Sequence, residues 1–438
     1  MTQVWQLADA VVLRSEAFGG MAFHRDRGIT LEVDREAYDF LCTRLTPGPL
    51  PSASHPANHL VPQLVHLGFL QPVSGMAILA GTPPQASWTG DGITLSAPET
   101  VHLAITTRCI FSCPGCYVPH QEGSPELTVA DWCDLMAQWA QMQVFQITVG
   151  GGEPLLYDGL FEVLACARQH GLVPNLTTNG ALLNKEAVLH LEEAGVARVN
   201  VSWNSPGGDD RDRELAASRA LRLLLDSKIQ VGVNLLATPV LLLRIPQVLA
   251  QLQALGIQRV TVLRPKPPAI PGDGDTAWYD SNRLRRADLL RLRAVLNSWQ
   301  AVLALEVDSA LVSLMCDAGP SRLRRRGIHG CTTGQRICTV WPDGRVTPCS
   351  FLGDLDAGNV RHMPFAELWK RGRNWEMQRD PDGRPQGSCT GCVVVVHCGG
   401  ARCIARYDRR YAAGSLQDTL SSGVFAGDAE CPYYQKAT

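Results

Sequence analysis

Three cysteines on one short stretch carry the first chemistry. Residues 103–117 read Leu-Ala-Ile-Thr-Thr-Arg-Cys-Ile-Phe-Ser-Cys-Pro-Gly-Cys-Tyr, so three residues separate Cys109 from Cys113 and two separate Cys113 from Cys116. Three thiolates on such a loop can hold three irons of a 4Fe–4S cube and leave the fourth iron without a protein ligand. An open iron lets a cluster bind a small molecule and do chemistry, where a closed cluster only carries electrons. Zinc, disulfides and buried structural thiols are the competing readings. Structural zinc prefers paired Cys-x-x-Cys knuckles and a closed set of four ligands, which a three-plus-two spacing with no fourth ligand nearby fits poorly.

A second signal follows about thirty-five residues on. Gly150-Gly151-Gly152-Glu153-Pro154 comes directly after the apolar run 144–149. Glycines at a strand end let a ligand approach the backbone, and a carboxylate there can take an ammonium group. The elements around these motifs alternate. Strands are expected at 101–106, 144–149, 175–180, 198–202, 230–236 and 259–263, with helices at 128–142, 160–170, 186–194, 214–227 and 246–255 between them. Such a run of βα units predicts a parallel sheet with helices outside. Ligands in such folds sit at the C-terminal strand ends, where the cysteine loop, the glycine turn, Asn179 and Ser202 would all lie, and where Asn234 stands on the fifth strand.

In this order and spacing the two motifs resemble the radical S-adenosylmethionine (SAM) superfamily. The resemblance implies a partial (βα)6 TIM-like barrel, with Cys109, Cys113 and Cys116 as ligands of a 4Fe–4S cluster. It makes Gly151-Gly152-Glu153 the segment that holds the methionine amino group, Ser202 a ribose contact, and Asn179 and Asn234 further cofactor contacts. The family usually has an aromatic residue or His just before the third cysteine, where this chain has Gly115, with Tyr117 just after. The implied reaction begins with SAM chelating the open iron. One electron, from a reducing partner such as flavodoxin or ferredoxin, cleaves the sulfonium bond, and the resulting 5′-deoxyadenosyl radical takes a hydrogen atom from an unactivated carbon.

The C-terminal part is rich in cysteine. Cys331, Cys338, Cys349, Cys389, Cys392, Cys398, Cys403 and Cys431 are enough thiolates for two complete four-ligand sites. Twelve residues separate Cys331 from Gly344, four separate Gly344 from Cys349, and the block Cys389-x2-Cys392-x5-Cys398-x4-Cys403 follows. This looks like the SPASM extension, which binds two auxiliary 4Fe–4S clusters, although the last gap of the block is one residue longer than usual. The family's interleaved pattern implies Cys331, Cys338, Cys349 and Cys403 for the first auxiliary cluster, and Cys389, Cys392, Cys398 and Cys431 for the second. A zinc-ribbon pair is the bland alternative, since Cys389-x2-Cys392 alone is a zinc knuckle. The remaining Cys42, Cys133, Cys166 and Cys316 read as buried small hydrophobes.

At the other end, 10–14, 20–23 and 30–33 read as three short strands, Asp34 caps a helix at 35–45, and a second helix covers 57–67. This winged-helix-like unit resembles the PqqD-like recognition element of enzymes that mature ribosomally made peptides, through Arg14, Phe18-Gly19-Gly20 and the helix around 38–41. A leader peptide would bind it by strand addition at an exposed edge. The organisation expected is therefore a recognition unit at 1–75, a Gly/Pro/Ser/Thr-rich linker at 76–98, a radical SAM core at 99–305, a bridging segment at 306–330 and the auxiliary-cluster domain at 331–438. The basic helix 283–299 and the run Arg322-Leu323-Arg324-Arg325-Arg326 read as solvated surface.

Composition narrows the partners. The formal net charge is −2 over 438 residues, so no global field points to nucleic acid or an acidic membrane. No apolar run is long enough to span a bilayer, and the start, Met-Thr-Gln-Val-Trp-Gln, has neither the basic residues nor the apolar core of a signal peptide. A cytoplasmic location is expected, where clustered cysteines more often bind metal than pair. Together these features suggest a peptide maturase that makes carbon–carbon or thioether cross-links in a precursor peptide. Maturation of a redox cofactor or partner enzyme is the alternative. A sulfatase-maturing activity is disfavoured, because those relatives carry an Asp where Ser350 follows Cys349. A non-catalytic iron–sulfur or zinc scaffold would not need the open iron.

Overall fold

The computed structural model describes residues 4–52, 54–73, 94–118, 125–203, 211–267, 273–325, 328, 330–353, 355–372, 375, 379, 389–399, 428 and 430–432. The N-terminal unit comprises β1 (Val4–Leu7), β2 (Val11–Glu16), β3 (Gly19–His24), β4 (Ile29–Asp34), α1 (Arg35–Thr43), β5 (Gly48–Pro49), α2 (Val61–His66) and β6 (Leu70–Pro72). Strands β2, β3 and β4 form the expected antiparallel sheet, and Asp34 caps α1 by accepting from the Ala37 N–H at 2.8 Å. A second small sheet, ordered β5-β1-β6, was not foreseen; its strands are two to four residues long, too short for period-two alternation to register.

The core follows as β7 (Thr100–Thr106), α3 (Val129–Gln141), β8 (Gln146–Gly151), α4 (Leu160–Gln169), β9 (Val173–Thr178), α5 (Lys185–Glu193), β10 (Arg198–Trp203), α6 (Arg211–Leu225), β11 (Gln230–Leu236), α7 (Pro239–Leu242), α8 (Ile245–Ala254), β12 (Arg259–Leu263), α9 (Asp273–Asn282), α10 (Arg286–Trp299) and β13 (Ala304–Val307). Strands β7 to β13 pair in parallel, each with its neighbour in sequence. Helix α3 shows why the helices stay outside. Thr128 and Asp131 close its first turn as a capping box, and Trp132, Leu135, Met136 and Trp139 place one apolar stripe on the sheet. Burying each of these side chains stabilises the packing by roughly 1.5–3 kcal/mol.

The sheet does not stop at residue 305. Short strand β13 adds to β12, and after α11 (Pro320–Arg325) strand β14 (Ile337–Val340) pairs in parallel with β7 on the opposite edge. Antiparallel β15 (Arg345–Thr347) and β16 (Gly358–Asn359) complete a ten-stranded sheet, ordered β13-β12-β11-β10-β9-β8-β7-β14-β15-β16. The cysteine-rich unit therefore begins as part of the core sheet, and α12 (Phe365–Arg371) and α13 (Val395–Cys398) follow it. Linker residues 76–93 and Cys403 lie outside the described residues. None of the helices among the described residues is long and apolar enough to cross a membrane.

The N-terminal unit is fastened to the core by a buried arginine. Arg14 bonds Glu16 at 2.7 Å, the Pro98 carbonyl at 3.1 Å and the Gln143 carbonyl at 2.9 Å, and lies over the Phe145 ring. Glu16 in turn accepts from the Ser96 N–H and hydroxyl. Gln143 adopts a left-handed φ of 57° just past α3, which aims its carbonyl at Arg14. Arg14, read from sequence as part of a recognition element, is here a joint between units. Cys133 and Cys166, expected as separate thiols, are placed as a disulfide between α3 and α4, with Cα atoms 5.9 Å apart. The side chain of Cys316 lies outside the described set.

Candidate functional site

A cavity of about 410 Å³ opens at the C-terminal ends of the core strands. Strand alternation builds it: Val101, Ile147, Leu176, Val201 and Val233 turn into the core, while His102, Thr148, Thr177, Ser202 and Asn234 turn into the cavity. Ser202 and Asn234 stand side by side in register. Burial pushes His102 down to about 4, so its imidazole is neutral at pH 7.

Cys109, Cys113 and Cys116 all line this cavity, together with Gly150, Gly151, Gly152 and Asn179. The loop is held by donors to sulfur. Arg213, near the start of α6, reaches the Cys113 Sγ at 3.1 Å and lies over the Phe111 ring. The Phe111 N–H meets the Cys109 Sγ at 3.5 Å, and the Asn179 amide stands 3.9 Å from it. Gly115 has φ +68°, and a Cβ there would fall 2.0 Å from the Trp278 ring of α9. Tyr117 packs against Phe351 with ring centroids 4.6 Å apart.

The glycine turn approaches the cysteine loop backbone to backbone. A Cβ at Gly151, φ +113°, would meet the Thr106 carbonyl at 2.5 Å, and one at Gly152 would meet the Arg108 carbonyl at 2.1 Å. Glu153 is engaged within the protein. Its carboxylate is fully buried and lies outside the cavity wall. It accepts from the Thr178 hydroxyl at 2.7 Å, the Asn179 N–H at 2.9 Å and the Leu155 N–H at 3.2 Å. The side chain fixes the turn after β9, and through it Asn179, and so is spent on the protein. The glycine backbones are what the cavity meets. Burial holds the Glu153 carboxyl above the ordinary range, opposed by these three bonds.

The far wall of the cavity carries Cys331 and Cys349. Burial raises the Cys349 thiol, and Cys331 is close enough to add to the shift. Cys338 does not join them: it is fully buried in the apolar core. Burial, and after it Cys398, Cys431 and Cys392 nearby, pushes the Cys389 thiol up to about 11. The two groups adjoin, because a Cβ at Gly330 would strike the Cys398 carbonyl carbon at 2.6 Å. Among the described residues no three His, Cys, Asp or Glu side chains converge on a single metal ion. Thiols gathered in half-buried groups, a cationic donor to sulfur and a glycine-walled cavity suit iron–sulfur clusters and a small organic ligand.

Sequence reading missed a buried charge network beside the cavity. Lys266 pairs with Asp308, both on the cavity wall, and its ammonium lies 4.2 Å from the centre of the Phe351 ring. Asp308 also accepts from the Arg264 N–H at 3.0 Å. Arg264 itself is buried and bonds Asp428 at 2.5 Å and 3.3 Å. Arg285 and Arg286, expected as solvated surface, hold Glu430 and the carbonyls of Cys431 and Pro432. Lys266 lies three residues past the end of β12 and Asp308 directly follows β13, a signal that could have found them; β13 has only four residues, so the strand end before Asp308 was not read.

Comparison with known proteins agrees with this geometry. Residues 103–225 match the model of the Radical SAM superfamily, and residues 331–393 match that of an iron–sulfur cluster-binding domain, SPASM. The chain is 29% identical over 329 residues to a PqqA peptide cyclase of Gluconobacter oxydans, covering 72% of this chain and 88% of that one. It is 26% identical over 343 residues to an AdoMet-dependent heme synthase of Methanosarcina barkeri, covering 73% and 93%. The fold matches that of Streptococcus suis SuiB bound to its precursor peptide SuiA, with a TM-score of 0.71, 16% identity and coverage of 98% and 99%. The chain carries a radical SAM domain at 103–225 and a SPASM iron–sulfur domain at 331–393.

Proposed function

We propose that this enzyme matures a ribosomally made precursor peptide by oxidative cross-linking. The observation that carries the reading is one cavity bounded by both cysteine systems: Cys109, Cys113, Cys116 and the glycine strand end on one wall, Cys331 and Cys349 on the other. Likeness to PqqA peptide cyclases and to a fold captured with a precursor peptide supports a peptide in that cavity. SAM and a 4Fe–4S cluster bound there supply a radical able to take hydrogen from an unactivated carbon. Cys109, Cys113 and Cys116 would hold the cluster, and the backbone of 150–152 with Asn179, Ser202 and Asn234 would orient SAM. Tyr117, Phe351 and Val118 keep water from the reacting region. Two auxiliary clusters, making three in all, would carry away the electron left on the substrate, one of them held by Cys389, Cys392, Cys398 and Cys431. Flavodoxin or ferredoxin would supply the initiating electron.

The N-terminal unit would seat the leader of the peptide. Among the described residues strand β4 ends its sheet, with β3 paired to it, and a groove of about 190 Å³ runs between β4 and the segment carrying His59 and Gln63. An extended peptide added to β4 would satisfy the edge by main-chain bonds. On this reading the chain divides into recognition at 1–75, linker 76–98, core 99–305, bridge 306–330 and auxiliary domain 331–438, the last joined to the core sheet through β14, β15 and β16. Likeness to a heme synthase favours one second reading, oxidation of a small cofactor precursor. Anaerobic enzyme, reductant and SAM, incubated with the precursor peptide, should yield 5′-deoxyadenosine and a peptide lighter by two hydrogen atoms. Deoxyadenosine without peptide mass loss, together with turnover of a small metabolite, would move the reading to the second.

A further inference from the structure

The floor of the cavity carries a polar row apart from the cysteines and the glycine turn. Thr339 on β14, His102 on β7 and Thr148 on β8 stand in register across three adjacent strands. All three line the cavity, while their chain neighbours Cys338, Val101 and Ile147 turn to the apolar core. His102 lies four residues before the end of β7, and Thr148 three before the end of β8. At about 3.3 Å per residue the row sits roughly 10–13 Å below the strand ends, deeper than the cysteine loop and the glycine turn. Ala104 and Gly150, paired in register, stand next above His102 and Thr148 and also line the cavity. These small residues leave room for the body of a side chain that reaches down to the row.

Thr339 is only 1% exposed, and its hydroxyl has no hydrogen-bond partner among the described residues. A buried hydroxyl so placed costs free energy comparable to a lost hydrogen bond. Thr347, its partner on β15, shows the contrast: that hydroxyl accepts from the Trp341 Nε1–H at 2.9 Å and donates to the Cys349 carbonyl at 3.1 Å. On the other side of Thr339, burial keeps the His102 imidazole neutral. Two hydroxyls and a neutral imidazole can each donate and accept, and none carries a charge. Their complement is an end group that also donates and accepts and is itself uncharged. A carboxylate or an ammonium would lose its hydration there without gaining an opposite charge. We propose that Thr339, His102 and Thr148 form a subsite that seats the uncharged hydroxyl or carboxamide end of a substrate side chain. The inference rests on the reading that substrate enters this cavity, and it holds for a peptide side chain and for a small cofactor precursor alike.

The test is equilibrium binding without turnover. The full chain, reconstituted without oxygen and left unreduced, is titrated with four para-substituted toluenes that share one body. p-Cresol and p-toluamide carry neutral ends; p-toluate and 4-methylbenzylammonium carry charged ones. Ligand-observed nuclear magnetic resonance reads the dissociation constants. The neutral pair should bind about tenfold more tightly than the charged pair, and Thr339→Val and His102→Leu should each erase most of that preference. Thr339→Val keeps the side-chain volume and removes a hydroxyl without a partner, so it should also raise the denaturation midpoint, which separates lost binding from lost folding. Saturating S-adenosylmethionine should leave p-cresol binding unchanged. Equal binding of all four probes overturns the proposal, as does a preference that Thr339→Val leaves intact. Displacement of p-cresol by S-adenosylmethionine also overturns it, by assigning the row to the cofactor. Peptide mass is not measured in any of these arms, so the peptide reading stands or falls separately.

Discussion

Glu153→Gln separates two accounts of the glycine turn. If the carboxylate met the ligand's ammonium, the variant would fold normally and bind SAM weakly. The structure predicts a different pattern. The carboxylate takes three donors: Leu155 N–H and Thr178 hydroxyl on one oxygen, Asn179 N–H on the other. An amide can keep the first two through its oxygen, as neutral bonds in place of charged ones. Its NH2 then faces the Asn179 N–H, donor to donor, and leaves that buried group unpaired. One orphaned donor costs about 1–3 kcal/mol and each weakened bond up to about 1 kcal/mol, with some relief from no longer burying a charge. A net loss of about 2–4 kcal/mol follows, read as a lower denaturation midpoint of the apo chain. Burial also fixes a pH signature. The folded-state carboxyl lies above its ordinary value, so the folded form keeps its proton where the unfolded chain has released it. This group's contribution to stability therefore falls as pH rises from the ordinary carboxylate range through the folded value, then levels off. Glu153→Gln should lack that fall. An unchanged apo midpoint with SAM affinity reduced tenfold would refute the reasoning.

Three further outcomes follow from single contacts. Arg14→Met leaves Glu16 buried without its guanidinium and two carbonyls without a donor, a loss of about 3–5 kcal/mol, seen as an N-terminal unit that unfolds or is proteolysed first. Gly115→Ala puts a methyl group into the Trp278 ring and should cost about four irons per chain, which Gly115→Ala/Trp278→Gly should restore. Arg264→Met strands Asp428 in the interior and loosens 428–432, so iron should fall by about four per chain while 5′-deoxyadenosine is still formed; Arg264→Lys should recover part of the loss.

The six core strands were legible because each is bounded by turn residues and sends alternate apolar residues into the core, and their order placed the cysteine loop and glycine turn at one end without coordinates. Strand ends also found Asn179, Ser202 and Asn234, which do line the cavity. What stayed hidden depends on pairing between distant segments. The one-residue alternation that sends Cys338 to the core becomes visible only when β14 is set beside β7, 237 residues earlier for the pair Ile337 and Thr100. Glu153 is read from its local motif, a carboxylate after glycines at a strand end; its partners within the protein, Thr178 and Asn179, are 25 and 26 residues away. Arg14 was read in its local motif, yet its bonds reach Pro98 and Gln143 in the core.

A row of buried charges ties the segment at 428 and 430–432 to the core. Lys266, Asp308, Arg264 and Asp428 alternate in sign from the cavity wall to the segment before Cys431, and Arg264 and Asp428 are almost wholly buried. Buried ion pairs are weak devices for stability, since desolvation offsets most of the attraction, but removing one partner is costly. Such a chain therefore fixes register more than it adds free energy. Its groups leave the ends of β12 and β13, which are parts of the rigid sheet, and its last member fixes Cys431 through an N–H bond to the Asp428 carbonyl at 3.1 Å. A short segment tied in this way needs little regular structure of its own. The sheet that sets the cavity then also sets where Cys431 stands, so a change at the Lys266–Asp308 wall and a change at Cys431 act on one and the same set of buried contacts.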